Sequence, residues 1–277
     1  MSETLNNTER QGFWRILSKR STAFILMIGL LTGAGEDVDY ADEVKRVHPT
    51  SSELDGDALQ VMTANVHGWR GTDGNDNLSD LLRVMDEYEV DVACLQEVNV
   101  ARGHLSKLYD AGYNVLYAET ERDGYGNAVV GTPNMALKRN YSLPPRKNIK
   151  QRGALLAEIY TRKGEVEVLA THVTTSRYYQ KAQFGKLGQI AKVGFADVVC
   201  GDLNRDLEII AKTTLGEYFS KSLEARFNQG NTFPANQPEH RIDFVLSTCQ
   251  EFGQPTLVDI NSDHLGVIHK FGLADCE

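Results

Sequence analysis

Ten short runs rich in aliphatic and β-branched residues recur along this chain, more than one ordinary sheet holds. They cover Leu59 to Val66, Val90 to Val98, Asn114 to Ala118, Asn127 to Val130, Met135 to Ser142, Ala154 to Thr161, Glu165 to Val173, Asp197 to Cys200, Ile242 to Ser247 and Leu265 to Phe271. Only two stretches carry a clear helical period. Leu78, Leu81, Leu82, Met85 and Tyr88 are spaced by three and four behind the cap candidates Asp76-Asn77. A second helix is predicted from about Arg177 to Lys192 on Tyr179, Ala182, Phe184, Leu187 and Ile190, interrupted by Gly185 and Gly188, which are poor helix formers. Hairpin-like strand pairs beside strands separated by helices predict a mixed α/β (α+β) architecture, a two-sheet sandwich flanked by helices. No repeat or linker divides the run of strands, so one domain from about Leu59 to Glu277 is expected.

The N-terminus is built differently. Arg10, Arg15, Lys19 and Arg20 precede an apolar run from Ala23 to Leu31 that ends in Thr32-Gly33-Ala34-Gly35. Basic residues, a short apolar run and small residues, in that order, read as a signal peptide over residues 1 to 34, or as a signal anchor if it is not cleaved. The run is well short of the roughly 20 apolar residues a membrane span needs. Residues 35 to 58 are polar and acidic and read as a linker. Loss of the first 34 residues would carry the net charge from −9 to −11. Such a body repels polyanions at long range, so a nucleic-acid substrate would have to be held by a local patch or by metal. The four cysteines include no C-x-x-C pair. Cys94 and Cys200 lie in apolar runs and are expected as buried free thiols, whereas Cys249 and Cys276 flank the last strands and are open to pairing in an oxidising compartment.

Several predicted strands end in polar residues, where a rigid sheet presents side chains into a cleft. Asn65 follows Val61-Met62-Thr63-Ala64, and Glu97 follows Val92-Ala93-Cys94-Leu95-Gln96. Asn127 lies in Gly126-Asn127-Ala128-Val129-Val130 and His172 in Thr171-His172-Val173. Asp202 and Asn204 sit in Gly201-Asp202-Leu203-Asn204, Asp243 in Ile242-Asp243-Phe244, and Asp263 and His264 in Ser262-Asp263-His264. Singly, each is more often a turn residue, a cap or a hydrogen-bonded histidine. Together they supply hard oxygen ligands of the kind Mg²⁺ selects, with imidazoles and carboxylates suited to proton transfer.

This ordered set, from about Leu59 to Leu273 and with Thr232-Phe233-Pro234 ahead of Ile242-Asp243, resembles the endonuclease/exonuclease/phosphatase superfamily. That superfamily includes deoxyribonucleases, abasic-site endonucleases, inositol polyphosphate phosphatases and secreted sphingomyelinases. The resemblance implies a four-layer deoxyribonuclease-like fold and a Mg²⁺-dependent phosphoester hydrolase, with Mn²⁺ as a substitute. It makes Glu97 the principal metal ligand, helped by Asn65 and Asp263. Asp202 and Asn204 would orient the attacking water, with Asp202 or His264 as base and Asp243 fixing the His264 tautomer. His172 and Asn127 would donate to phosphate oxygens. Many relatives carry a proline two residues after the Ser-Asp-His histidine, where this chain has Gly266.

The substrate is less constrained. Lys138 to Arg152 holds Lys138, Arg139, Arg146, Lys147, Lys150 and Arg152 without an acidic residue, either a phosphate-gripping rim or a solvated loop. Arg177 is a further phosphate candidate, or a surface residue at a helix start. An exported monomeric nuclease acting on DNA or RNA is the first expectation. A phosphatase or phospholipase of inositol phosphate or sphingomyelin type is the second, and a non-catalytic binding module the third. Membrane contact is expected only through an uncleaved N-terminal segment.

Overall fold

The computed structural model describes residues 45–46, 54, 56–120, 123–144, 151–225, 230–274 and 276, all within the compact unit Asp39–Glu277. The expected signal segment and most of the expected linker lie outside these residues. Twelve strands are present among the described residues: β1 (Lys45–Arg46), β2 (Ala58–Asn65), β3 (Val92–Asn99), β4 (Asn114–Glu119), β5 (Tyr125–Gly131), β6 (Met135–Ser142), β7 (Gly153–Thr161), β8 (Gly164–His172), β9 (Val198–Asp202), β10 (Asp243–Ser247), β11 (Glu251–Val258) and β12 (Gly266–Gly272). The helices are α1 (Leu78–Glu87), α2 (His104–Asp110), α3 (Arg177–Gly194), α4 (Leu207–Ile210), α5 (Thr214–Tyr218) and α6 (Ser220–Ala225). Among the described residues no helix is long and apolar enough to cross a membrane.

The strands form two sheets, one ordered β1-β4-β5-β3-β2-β12-β11 and the other β10-β9-β8-β7-β6. Alternation along the strands gives each sheet two apolar faces, and three seams result. Met62, Leu95 and Val130 pack against Leu81 and Met85 of α1. Val61, Cys94 and Val129 meet Leu155, Val168 and Cys200 between the sheets. Leu169 and Val199 pack against Phe184 and Leu187 of α3. The order helices, sheet, sheet, helices is the expected four-layer sandwich.

Sequence periodicity finds the central strands to within about two residues, a margin usual for element ends. It misses β11, in which only Val258 is buried and which includes Gly253 and Pro255, because an edge strand buries too little to need alternation. Within the segment read as linker, Lys45–Arg46 pairs with β4, and Leu54 bridges Thr161. The glycines expected to interrupt the second helix do not break it. At Gly188 an added Cβ would lie 2.6 Å from the Leu215 nitrogen, so this residue lets α5 approach α3 closely. Of the two cap candidates, Asp76 accepts from the Leu78 N–H through Oδ1 at 3.0 Å, whereas Asn77, at the cap position itself, makes no side-chain cap bond and donates to the Val66 carbonyl at 3.2 Å.

The expectation of free thiols at Cys94 and Cys200 is overturned. Both side chains point into the seam between the sheets, where their sulfurs are bonded, joining β3 to β9. An apolar run places a cysteine in the core but cannot say which residue faces it. Cys249 and Cys276 are also bonded, so among the described residues no cysteine is free.

At the start of β8, Glu167 is buried beneath Lys138, which also pairs with Glu158, its cross-strand neighbour. Burial pushes the Glu167 carboxyl from 4.5 up to about 7, against the pull of Lys138 and with the nearby charges of Glu158 and Asp197 adding to it. Because the folded-state value is raised, the protonated carboxyl favours the fold at acidic pH, and that contribution is lost as pH rises through about 7. Glu167→Gln should therefore gain about 2 kcal/mol relative to the parent between pH 5 and pH 8, measured by urea unfolding. An equal offset at both pH values would show that the buried charge is not the cause.

Candidate active site

Each sheet contains one parallel pair of neighbours at its centre, β2 with β3 and β8 with β9. Parallel strands end on the same edge, and here the register brings Asn65 beside Gln96 and His172 beside Asp202. Asp202 is also the register partner of Asp243 at the start of antiparallel β10. Close approach at this edge requires glycine at position 201, where a Cβ would lie 1.9 Å from the Thr171 carbonyl oxygen.

Glu97 reaches the mouth by a different device. The pairing of β3 with β5 runs through Leu95–Ala128 and resumes at Val98–Gly126, so Gln96 and Glu97 together oppose Asn127. This bulge lets Leu95 and Val98 both pack on the helix side of the sheet, and Glu97 takes up the slack with a φ of 55°. Simple alternation would have pointed its carboxylate at α1. Instead it is 29% exposed, and among the described residues it meets no hydrogen-bond donor within 3.5 Å; His172 Nδ1 lies 4.0 Å away.

Asp202 occupies the centre. Its Oδ2 accepts from Asn65 Nδ2 at 3.2 Å and lies 3.3 Å from His172 Nε2 and 3.8 Å from His264 Nε2, while Oδ1 accepts from the Asn204 N–H at 2.9 Å. Burial alone would raise this carboxyl, but His172, His264 and the Asn204 hydrogen bond outweigh it and hold the group below its ordinary value. Asn204, at a φ of 50°, turns its amide back to donate to the Val173 carbonyl at 2.9 Å.

His264 Nδ1 is 2.9 Å from Asp243 Oδ2, which also accepts from Thr232 Oγ1 at 2.6 Å. Burial works against charge on His264, but the hydrogen bond and charge of Asp243, with Asp202 and Asp263 behind them, raise it to about 9. Burial and the charge of Asp202 push Asp243 up, opposed by His264 and Thr232. The Phe233 ring stands 4.7 Å from the His264 ring, closing it from the side. Thr232 further accepts from the Ile242 and Asp243 N–H groups, so one hydroxyl anchors the whole turn.

The structure thus gathers Asn65, Glu97, His172, Asp202, Asn204, Asp243 and His264 from both sheets. Asp263 stands at the rim, 37% exposed, with Oδ1 3.5 Å from His67 Nδ1. Asn127 is buried and donates to the Gly153 carbonyl at 3.0 Å, a bond between the two sheets. Arg177 is an exposed residue at the start of α3. The basic stretch does not act as one unit: Lys138 is taken up by Glu158 and Glu167, Arg139 lies over the Tyr141 ring at 5.3 Å, and residues 146, 147 and 150 fall outside the described residues. Its last member, Arg152, is in the site, with Nη1 donating to His172 Nδ1 at 3.0 Å. Sequence reasoning gave Arg152, Thr232, Phe233 and His67 no individual role. Thr232-Phe233 was visible only as a segment, and His67 only by standing two residues after Asn65.

Among the described residues, Asp202, Asp243 and His264 form a buried group whose ligand atoms lie within 4.8 Å of one another, one arrangement able to hold a cation. The residues expected as metal ligands stand apart from this group: Glu97 and Asp263 are part-exposed, and the buried Asn65 accepts from the His67 N–H through Oδ1 at 3.0 Å. Thr232→Val should lower the melting temperature by several degrees, because the buried Ile242 and Asp243 N–H groups lose their acceptor, and lower kcat about tenfold in protein that is still folded, because Asp243 loses a hydrogen bond to its charged form and holds the His264 ring less firmly. An unchanged kcat would show that Thr232 only shapes the turn.

Comparison with known proteins agrees with this geometry. No curated protein sequence matches the chain. Among solved structures, an endonuclease/exonuclease/phosphatase from Beutenbergia cavernae DSM 12333 superposes with a TM-score of 0.58 at 22% identity, over 79% of this chain and 72% of that one. TDP2 from Caenorhabditis elegans gives 0.61 at 20% identity, over 79% and 75%. The human Nocturnin catalytic domain with bound sulfate anion gives 0.57 at 17% identity, over 86% and 99%. These likenesses establish the fold. The model of the Endonuclease/Exonuclease/phosphatase family matches residues 62–264, from within β2 to His264 itself, and the chain belongs to that family.

Proposed function

We propose that the protein is an exported, Mg²⁺-dependent phosphodiesterase that cuts nucleic acid and acts as a monomer. The observation that carries this reading is Asp202, a buried carboxylate in contact with Asn65, His172, Asn204 and His264, beside a Glu97 that meets no hydrogen-bond donor among the described residues. A half-buried carboxylate without a donor suits a cation. Glu97, Asp263 and the Asn65 amide are hard oxygen ligands that fit Mg²⁺, with Mn²⁺ as a substitute. Bound there, the cation would neutralise charge on the phosphate and stabilise the departing alkoxide.

The chain's own residues supply the rest. Asp202 and Asn204 hold the attacking water in line with the leaving oxygen, and Asp202 takes its proton. Asp243 and Thr232 keep the His264 ring turned so that Nε2 faces Asp202 and the reacting phosphate. The acidic body and the dispersal of the basic stretch favour a second reading, a phosphatase or phospholipase acting on a small or lipid phosphoester. Salt separates the two. A nuclease gripping the backbone should lose affinity at least about tenfold between roughly 50 and 200 mM salt, and an enzyme for small phosphoesters should lose far less.

Export is supported by the pairing of all four cysteines, since disulfides persist in oxidising compartments, and by the basic and apolar order of the N-terminus. Membrane contact is confined to that N-terminal segment. Protein recovered from the native compartment should show no titratable thiol in denaturant; four thiols would place it in a reducing one. Glu97→Gln and His264→Ala should each lower Mg²⁺-dependent hydrolysis by about 100-fold or more without unfolding the chain. Plasmid DNA, RNA, sphingomyelin and inositol phosphates, each with Mg²⁺ or EDTA, form the assay panel. Activity on none of them would leave the binding-module reading standing.

A further inference from the structure

Two sets of neighbours surround His172 and call for opposite tautomers, each set consisting of one hydrogen bond and one longer contact to a carboxylate. In one, Arg152 Nη1 donates to Nδ1 at 3.0 Å, so the ring proton sits on Nε2, which lies 3.3 Å from Asp202 Oδ2. In the other, Nδ1 carries the proton toward Glu97 Oε1, 4.0 Å away, and Nε2 accepts from Asn204 Nδ2, 3.1 Å away. A neutral imidazole can serve only one set, because it has one donor and one acceptor. Arginine can only donate, and its cationic hydrogen bond is stronger than a neutral one. Asn204 Nδ2 already donates to Val173 O at 2.9 Å and does not depend on the ring.

We infer that Arg152 is a positioning residue that selects the Nε2–H tautomer of His172, turning that histidine into a donor to Asp202 and leaving Glu97 free of it. Two consequences follow for the site. The buried Asp202 charge gains a donor from β8 in addition to Asn65 from the opposite sheet. Glu97, relieved of an imidazole partner, keeps its oxygens for a cation. Both ring nitrogens of His172 are then engaged within the protein, so its service to the reaction passes through Asp202 rather than by direct donation to phosphate. The position is built into the backbone: the Arg152 carbonyl accepts from the Leu143 N–H at 2.8 Å, and the next carbonyl, that of Gly153, accepts from both Asn127 and Thr171.

The inference rests on the phosphodiesterase reading for its consequence but not for its test. Long-range ¹H–¹⁵N imidazole spectra of the full-length ¹⁵N-labelled chain, without substrate or metal, report the tautomer directly. The His172 signals are identified by their loss in His172→Phe. The parent should show a bare Nδ1 and a protonated Nε2. In Arg152→Met the pattern should invert, with the proton on Nδ1 facing Glu97, and Arg152→Lys should keep the parent pattern. With bis(p-nitrophenyl) phosphate and Mg²⁺, Arg152→Met should lower kcat about 30-fold with KM within about threefold, and Arg152→Lys should recover most of the loss. A parent ring already protonated on Nδ1, or an unchanged spectrum in Arg152→Met, overturns the inference. A loss confined to KM also overturns it, because that would make Arg152 a substrate contact instead. If no phosphodiester is cleaved at all, the proposed function fails while the spectra still decide the tautomer.

Discussion

A carboxylate taken out of water must be repaid by donors, and in this protein the debt falls on Asp202 at the junction of two sheets. No single strand can supply enough of them. Asn65 reaches it from the seven-stranded sheet, His172 from the neighbouring strand of the other sheet, Asn204 from its own turn and His264 from the loop before β12. Isolated ionised groups are among the most costly things a core can hold, so sheets out of position by an ångström or two would leave this charge exposed to that cost. The candidate site and the packing of the sandwich are therefore one problem. The bonded sulfurs of Cys94 and Cys200 lie in the same seam, three residues before Glu97 on β3 and two before Asp202 on β9, and join the two strands that present these carboxylates.

A second layer of residues controls direction rather than charge. Thr232 and Asp243 hold His264 by Nδ1, and Arg152 holds His172 by the same atom of its own ring. The two histidines thus bring Nε2 near the same Asp202 oxygen, one held by an acceptor and the other by a donor. That asymmetry follows from the chemistry of the partners alone, since a carboxylate fixes a proton on Nδ1 and a guanidinium excludes one. Phe233 against the His264 ring and the carbonyl network around Gly153 restrict motion at both ends.

Much of the sandwich was legible beforehand because central strands and the α1 face must bury a periodic set of apolar residues, and burial writes that period into the chain. Where burial lapses, so does the signal. The exposed edge strand β11 and the short helices α4 to α6 carry no sustained pattern, and α3 was read as interrupted because glycine's helix penalty is local while its packing against Thr214 and Leu215 is not. The site residues were legible as an ordered set of strand-end polar groups. Arg152 was not singled out, because a lysine- and arginine-rich stretch reads as one unit when its members in fact serve different ends of the molecule.

Sequence by itself determined the two-sheet sandwich with its central strands, the family and the identities of the polar residues at the strand ends, because residue type and spacing are local properties. Only the tertiary structure decided which of these groups meet. The bulge that frees Glu97, the pairing of Cys94 with Cys200, the use of Asn127 as a tie between sheets and the choice of Arg152 as the partner of His172 all join residues distant in the chain. Each depends on the register of one strand against another and on the direction of a hydrogen bond, and neither is recorded in the order of residues along one strand.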